Sequence, residues 1–200
     1  NVVYSNYNGI VGGYAGGATI SGNRVYNNSN IGILARFLAN ASGNVVYSNS
    51  IGIQGAAGYI YYYYFSGDLT NNLVYANTNQ GIVLDHAQAN GSDLPQVINN
   101  TVYQEVGDAI RIQGSSQNVW LRNNILWVDA GYDLYVASDS QVGFNSDYNN
   151  LHTTGSGKLA RWQLGDGSFR DFSTQVDWFY ELGQDGQSQT ADPLFVDRDG

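Results

Sequence analysis

The hexapeptide NVVYSN stands at Asn1–Asn6 and again, letter for letter, at Asn44–Asn49. Its first four residues follow a pattern, Asn-x-aliphatic-aromatic, that recurs along the chain. The pattern occurs seven times, as NVVY, NRVY, NVVY, NLVY, NTVY, NILW and NNLH, beginning at Asn1, Asn23, Asn44, Asn72, Asn100, Asn124 and Asn149. Successive copies lie 21 to 28 residues apart. The chain is therefore built from repeats of variable length.

Each repeat has the spacing of β-strands. An apolar residue follows each of the first six asparagines by nine or ten positions, and in several copies a second follows two positions later, as in Ile82/Leu84 and Ile110/Ile112. A spacing of two places both side chains on one face of a strand, and helical periodicity is absent over the first 150 residues. Such a unit fits one coil of a parallel β-solenoid, in which stacking buries the apolar side that a single coil leaves exposed.

Stacking places equivalent residues of successive coils above one another, and we call each such position a rung. The third position of the motif predicts an inward aliphatic ladder and the fourth an outward aromatic ladder. The asparagine at the first position predicts an amide ladder that hydrogen-bonds along the stack. The sixth position holds Asn6, Asn28, Asn49 and Asn77 and then changes to Glu105, Asp129 and Thr154.

The composition argues against two classes of binding partner, nucleic acids and the membrane interior. The chain of 200 residues has a net charge of −9 and a single lysine, Lys158, which argues against nucleic-acid binding. No apolar run reaches the roughly 18 residues that a membrane span needs. A cysteine-free chain poor in lysine and rich in Asn, Gly and Thr is typical of secreted or cell-surface bacterial proteins. Because the sequence starts inside a repeat, we expect it to be a piece of a longer precursor.

The segment NNTVYQEVGDAIRIQGSSQNVWLRNNILW, residues 99–127, resembles the right-handed parallel β-helix repeat of the pectin-lyase-like superfamily. The resemblance covers residues 1–154 and implies an all-β, right-handed parallel β-helix of about seven coils. It does not select a function, because polysaccharide lyases, glycoside hydrolases, uronan epimerases, adhesins and structural rods share this fold. GDAIRIQG is similar to the Arg-Ile-Lys motif of pectin-degrading hydrolases, but Gln113 replaces the lysine, and the grouped Asp motifs of those enzymes are absent, which argues against a hydrolase.

Residues 155–200 are predicted to form a C-terminal capping segment that protects the open edge of the stack. The stretch DWFYELGQDGQSQTADPLFVD, residues 177–197, is similar to segments that often follow such repeats in large secreted bacterial proteins. Residues 174–182 predict a short helix with Val176, Phe179 and Tyr180 on one face. The aromatic residues expected to be buried over the last coils are Trp162, Phe169, Phe172, Trp178 and Phe195.

Acidic residues on neighbouring coils supply the candidate active site. Glu105 and Asp129 occupy one rung, about 5 Å apart at the backbone. Lyases of the resembled fold usually use a carboxylate-bound cation and an Arg or Lys base. The resemblance therefore makes Glu105, Asp108, Arg111, Asp129 and Asp133 the candidate catalytic residues, with Glu105 and Asp129 as candidate Ca²⁺ ligands. The alternative is a solvated acidic face on which Arg111 is a salt-bridge partner.

The stretch YIYYYYFSG, residues 59–67, supplies a candidate glycan-binding face. Alternation places Tyr59, Tyr61, Tyr63 and Phe65 on one side, where exposed rings would stack on sugars; the alternative is packing against a loop, the aromatic ladder or another chain. Asp85 and His86 stand at the end of a strand, and rung counting predicts no compact acid–base cluster around them.

These observations favour an extracellular β-helix module of a larger secreted or surface protein, acting as a scaffold or adhesion unit with glycan contact along aromatic ladders. The alternative is a polysaccharide lyase or a related carbohydrate-active enzyme that acts on acidic polysaccharide. If the chain is an enzyme, a Ca²⁺-dependent polysaccharide lyase is the leading class. The expected partners are a polysaccharide or cell-surface glycan. Self-association through the open ends of the helix is a further expectation.

Overall fold

The computed structural model describes residues 1–13, 16–58 and 64–196, whose strands are numbered in chain order. The first sheet contains β1 (Val2–Tyr4), β4 (Arg24–Tyr26), β7 (Val45–Tyr47), β10 (Leu73–Tyr75), β13 (Thr101–Gln104), β16 (Ile125–Val128) and β19 (Asn150–Thr153). The second contains β2 (Ile10–Gly12), β5 (Ile31–Arg36), β8 (Ile51–Ala56), β11 (Gln80–Asp85), β14 (Asp108–Gln113), β17 (Tyr132–Val136), β20 (Lys158–Gln163) and β21 (Phe169–Phe172). The third contains β3 (Thr19–Ser21), β6 (Asn40–Ser42), β9 (Asp68–Thr70), β12 (Gln96–Ile98), β15 (Trp120–Arg122) and β18 (Asn145–Asp147).

Each coil contributes one strand to each sheet, and within the sheets only the pairing of β20 with β21 is antiparallel. The described residues thus form six three-stranded coils followed by β19 and β20, which confirms the predicted solenoid. Val46, Val74 and Val102 are direct neighbours in the register of the first sheet, and all three are fully buried. The third motif position is therefore the inward aliphatic ladder.

The asparagines at the first motif position form a continuous amide ladder. Asn44 donates from its backbone N and from Nδ2 to Oδ1 of Asn72, at 3.0 and 2.9 Å, and Nδ2 also donates to the carbonyl of Ile20 at 2.9 Å. The same donation to the next coil recurs from Asn23 to Asn124. Each buried amide is therefore satisfied by its copy one coil further on.

The residue before each asparagine makes the corner that this ladder needs. Residues with positive φ precede the six asparagines from the second coil onward: Gly22, Gly43, Asn71, Asn99, Asn123 and Tyr148. A left-handed residue turns the chain sharply from the third sheet into the first, and glycine and asparagine adopt that conformation most readily.

The fourth motif position forms the predicted outward aromatic ladder. Successive rings from Tyr4 through Tyr26 and Tyr47 to Tyr75 are stacked, with centroids 4.9 to 5.2 Å apart and interplanar angles of 4° to 12°. Trp127 lies edge-on to Tyr103 and to His152, the last residue of the ladder, and Phe195 covers Trp127 with its ring centroid 5.6 Å away. The exposed fraction falls from 55% at Tyr4 to 6% at Trp127.

The capping helix α1 (Gln175–Leu182) begins after Thr174, whose side chain accepts from the backbone N of Asp177, and ends at Gly183 with φ 70°. The helix was predicted, and Trp178, also predicted to be buried, is its buried residue; Val176, Phe179 and Tyr180, predicted to share one face, are exposed. Trp178 lies edge-on to Phe172 and also contacts Phe144 and Trp162, so one indole anchors the short helix in an aromatic cluster. Phe169, predicted to be buried, is 48% exposed. In the described ranges, no helix has the length and apolarity needed to cross a membrane.

The cap also ends the amide ladder. Asn149, the last asparagine, donates from Nδ2 to Oδ1 of Asp185 at 2.9 Å. Ser188 Oγ donates to the same oxygen at 2.6 Å, and Trp178 Nε1 donates to Oδ2 at 2.9 Å. Asp185 is fully buried, and a carboxylate, which has only acceptors, suits this convergence of donors.

Replacement of one amide in the ladder is predicted to destabilise the whole stack. Asn72→Ala would leave the backbone N–H of Asn44 and the carbonyl of Ala41 without their partners. Each buried unsatisfied group costs about 1–3 kcal/mol, so we expect the free energy of unfolding in urea to fall by roughly 2–4 kcal/mol. Asn90→Ala, at an exposed turn, is the matched control. Equal urea midpoints for the two variants would contradict the ladder's role.

Candidate functional site

The outward side chains of β5, β8, β11, β14, β17 and β20 form a continuous surface that we call the second-sheet face. Ile82 and Leu84 of β11 are fully buried, so the alternate residues Val83 and Asp85 stand on the outer side of the strand. Val83 is itself only 2% exposed, in register between Gln54 and Arg111. Asp85 is in register with Gln113 on one side and with Ala56 on the other. Parallel stacking therefore brings polar residues that are far apart in sequence onto one rigid face.

At one edge of this face an open pocket of about 400 Å³ is lined by five polar or aromatic side chains: Arg36, Gln54, Tyr64, Asp85 and His86. His86 Nδ1 lies 2.6 Å from Asp85 Oδ1, and Gln54 Nε2 donates to Asp85 Oδ2 at 3.5 Å. Arg36 Nη1 donates to the carbonyl of Ala57 at 2.9 Å. The pocket thus combines an acid–imidazole pair, a guanidinium, an amide and an aromatic ring.

The corner after β11 positions His86. His86 has φ 57°, and Phe37, at the end of β5, has φ 56°, so this left-handed turn is a feature of the corner. The backbone N of Phe65 donates to the carbonyl of His86 at 2.9 Å, which ties the segment carrying Tyr64 to the corner. A Cβ at Gly114 would lie 2.1 Å from Asp85 Oδ1 and 2.8 Å from His86 Nδ1. Glycine at 114 therefore makes room for the pair.

Further along the second-sheet face, Arg111 is held from three directions. Its Nη1 donates to Asp108 Oδ2 at 2.9 Å and its Nε to Gln113 Oε1 at 2.8 Å. The guanidinium carbon also lies 3.6 Å from the ring centroid of Tyr135. Burial raises the pKa of Asp108, while the hydrogen bond from Arg111 opposes that rise. This geometry agrees with Arg111 as a salt-bridge partner.

A second group of ion pairs lies at the end of the second-sheet face formed by β20 and β21. Arg161 donates to both oxygens of Asp171, at 2.6 and 2.9 Å, and Lys158 Nζ donates to Oδ2 at 2.8 Å. The bond from Arg161 holds the pKa of Asp171 well below its usual range. Burial, reinforced by the charge of Asp171, raises the pKa of Tyr132 to about 12. These cations are therefore occupied by carboxylates of the chain itself.

The predicted acidic candidates do not converge. Glu105 is exposed, because Gln104, one residue earlier, fills the rung and accepts from the backbone N of Asn77 at 3.1 Å. Asp129 accepts from the hydroxyl of Tyr103 at 2.6 Å and from that of Thr154. Nowhere in the described ranges do three or more His, Cys, Asp or Glu side chains group to hold a metal ion. Ca²⁺ binding by Glu105 and Asp129 stays a prediction.

Asp133 lies in the core and not on a surface with the other acids. It is fully buried, and within the described chain neither carboxylate oxygen has a hydrogen-bond partner. Burial raises the pKa of Asp133 well above its ordinary value, and the charge of Asp185 adds to the rise. Its equivalents in earlier coils are Gly9, Gly32, Gly52, Gly81 and Ala109. Because five successive coils have glycine or alanine at this position, the sequence could have predicted that the position of Asp133 faces the core.

The tyrosine-rich stretch is only partly described. Tyr59, Tyr61 and Tyr63, predicted to contact glycan, lie outside the described residues. Phe65, predicted with them, is fully buried; a Cβ added at Gly55 would lie 2.6 Å from its ring, so it is a core residue. Tyr64, which was not predicted, is 38% exposed and lines the pocket.

The expectation that no compact cluster surrounds Asp85 and His86 was wrong. Rung counting placed Arg36 two coils from Asp85, as the register confirms. Two coils span only about 10 Å, however, and long side chains cross that distance. The available signal was that Arg36, Gln54 and Asp85 stand on outward positions of three consecutive coils.

The buried acid Asp133 predicts a specific pH dependence of stability. Its pKa is raised in the folded state, so the folded chain binds the extra proton and stability falls as pH rises above the unfolded value of 3.8. Asp133→Ala, which places alanine as at Ala109, removes that penalty. We expect the free energy of unfolding of the variant to exceed that of the wild type at pH 7.

The difference between variant and wild type should grow by about 1.4 kcal/mol for each unit that the pH rises within the window between the unfolded and folded pKa values of Asp133, and urea unfolding from pH 4 to pH 8 measures it. Glu105→Ala, at an exposed carboxylate, should show no such slope. A constant difference across the pH range would disprove a neutral buried Asp133.

Comparison with known proteins identifies the repeat. A family model described as right handed beta helix region matches residues 1–126, more than half of the 200 residues. No curated protein and no solved structure matches the chain.

Proposed function

Because the chain belongs to the right-handed β-helix family, we propose that it is an extracellular scaffold and adhesion module that contacts glycans through the pocket of Arg36, Gln54, Tyr64, Asp85 and His86. One observation carries this proposal: the pocket places a partly exposed tyrosine beside four hydrogen-bonding side chains. Sugar rings present an apolar face for an aromatic ring, and hydroxyl groups that both donate and accept.

The scaffold supports this use of the pocket. Three of the five side chains lie on consecutive strands, β5, β8 and β11, of one parallel sheet. Their backbones are fixed by the register, so little ordering is required when a ligand binds. Across the described residues the pocket is open, and the proposal is that an elongated chain binds along the second-sheet face. Secretion or surface display is part of the proposal and rests on composition alone.

Loss of the ring or of the acid in the pocket should weaken glycan contact. Affinity electrophoresis with polygalacturonate and alginate as acidic probes, and xylan and dextran as neutral ones, measures retardation of the protein by each polymer. We expect retardation by at least one probe. Tyr64→Ala should weaken that binding by about 1 kcal/mol, roughly fivefold, and Asp85→Asn should weaken it as well.

Tyr180→Ala, at a tyrosine that is 81% exposed on α1, is the control and should be retarded like the wild type. The proposal fails if no polymer retards the wild type, or if the Tyr64 variant is retarded as strongly as the Tyr180 variant.

A second candidate function, a lyase acting on acidic polysaccharide, is favoured by the 2.6 Å contact between Asp85 and His86. A carboxylate at this distance orients an imidazole, as a positioned general base requires. In a lyase reaction the base removes the proton from the sugar carbon next to the carboxylate, and the glycosidic oxygen departs. The product contains a carbon–carbon double bond that absorbs ultraviolet light.

The lyase candidate predicts that ultraviolet absorbance rises when the protein is incubated with polygalacturonate or alginate, with and without Ca²⁺. His86→Gln should reduce the rate by about 100-fold or more, whereas Arg111→Gln, at a residue already engaged by Asp108, should retain activity if the pocket is the site. A flat absorbance trace for the wild type rejects the lyase and leaves the glycan-binding proposal to its own test.

A further inference from the structure

A second cavity, lined in part by Ser66 of the segment that carries Tyr64, has the chemistry of a cation site. It encloses about 330 Å³ between the segments around Asn40, Ser66, Asp68 and Asp93. Every polar side chain in its lining is a carboxylate, an amide or a hydroxyl, and the lining contains no Lys, Arg or His. Oxygen is therefore the only side-chain atom that it offers to a metal ion.

Ser66 provides an observation independent of the two acids. Its side chain lines the cavity, the residue is only 4% exposed, and in the described chain its buried hydroxyl has no hydrogen-bond partner. Buried hydroxyls are almost always bonded, so a hydroxyl without a partner indicates a group that the protein itself does not supply. The backbone N of Ser66 donates to the carbonyl of Phe37 at 3.0 Å and fixes the residue at the cavity wall.

The two carboxylates share an uncompensated environment. The backbone N of Asp68 donates to Asn40 Oδ1 at 2.7 Å, but no ion pair within the described ranges involves the carboxylate of Asp68 or of Asp93. Burial raises the pKa of Asp68, and the charge of Asp93 raises it further. Two carboxylates that repel one another beside a buried hydroxyl are stabilised if a cation lies between them.

We propose that this cavity binds a calcium ion, with the carboxylates of Asp68 and Asp93 and the hydroxyl of Ser66 as protein ligands. Asn40 and Gln96 bring amide oxygens to the same cavity, and water completes the shell. Calcium accepts six to eight oxygen ligands in irregular geometry, whereas magnesium requires a near-ideal octahedron. Ligands drawn from three separate segments therefore suit calcium better.

The site would join two loops to the stack. Ser66 and Asp68 precede and begin β9, and Asp93 lies in a turn closed by mutual backbone hydrogen bonds with Asn90, at 2.8 and 3.1 Å. Bound calcium would tie this turn to β9. The proposed calcium site is distinct from the predicted site at Glu105 and Asp129. Neither of these two sites depends on glycan binding.

Calorimetric titration of the chelator-treated protein with calcium chloride, paired with thermal unfolding, tests the proposal. We expect one binding event and a higher melting temperature with calcium. The double variant Asp68→Asn/Asp93→Asn should lose binding by roughly tenfold or more for each charge removed, and Ser66→Ala should weaken it several-fold. Without calcium the double variant should melt no lower than the wild type, because the like-charge repulsion is gone, and this separates lost binding from lost folding.

The double variant Glu105→Gln/Asp129→Asn is the matched control and should bind calcium like the wild type. Three outcomes would overturn the proposal: no calcium binding by the wild type, unchanged binding by the Asp68/Asp93 variant, or binding lost in the Glu105/Asp129 control instead. Magnesium binding as strong as that of calcium would overturn the assignment of the ion.

Discussion

The structure depends on the hydrogen bonds that run from one asparagine to the next along the axis of the stack. From the second coil onward, each coil buries an asparagine side chain at the corner between the third and the first sheet. The amide of that asparagine has both donors and an acceptor, and it needs partners from neighbouring coils to satisfy them. Asn44 accepts a hydrogen bond from Asn23 and donates one to Asn72. The donor and the acceptor of each amide are therefore both satisfied only because an asparagine stands at the same position in the coil on either side. This reciprocity explains why a hexapeptide is spelled twice in one chain. It also explains why the ladder ends at Asp185, where no further coil exists in the described chain to receive a donated hydrogen.

The same reciprocity made most of the fold predictable. Motif spacing alone gave the register of Val46, Val74 and Val102 and of the stacked tyrosines, because side chains in a parallel stack repeat with the backbone. The burial of Trp178 was predicted, but the periodicity of α1 did not select the face that carries it. In a helix of only eight residues, the packing of one large side chain determines which face is buried. Here that side chain is Trp178, which contacts Phe172 and donates a hydrogen bond to Asp185. Periodicity carries no information about that tertiary contact.

The candidate site could be predicted less well, because rung counting treats side chains as equal in length and direction. Gln104 has one methylene more than asparagine and reaches the rung from the preceding residue, which displaces Glu105 to the surface. Asp133 is the second residue of β17, and alternation with the buried Leu134 would turn it outward, yet it is fully buried. Arg36 and Asp85, by contrast, were placed on the right strands and judged too far apart. In each case the backbone register was right and the reach of a side chain decided the outcome.

The two 28-residue repeats, which begin at Asn44 and Asn72, show where this architecture leaves room for function. A solenoid fixes its strands, and extra residues can only enter at corners. Here they follow β8 and β11, and the two insertions lie against one another through the parallel bridge between Phe65 and Ala87. Three consecutive residues of the first insertion then have three destinations: Tyr64 faces the pocket beside His86, Phe65 is buried in the core, and Ser66 faces the acidic cavity. Phe65 is fixed by the core between them, so this one segment contributes a residue to each of the proposed glycan and calcium sites.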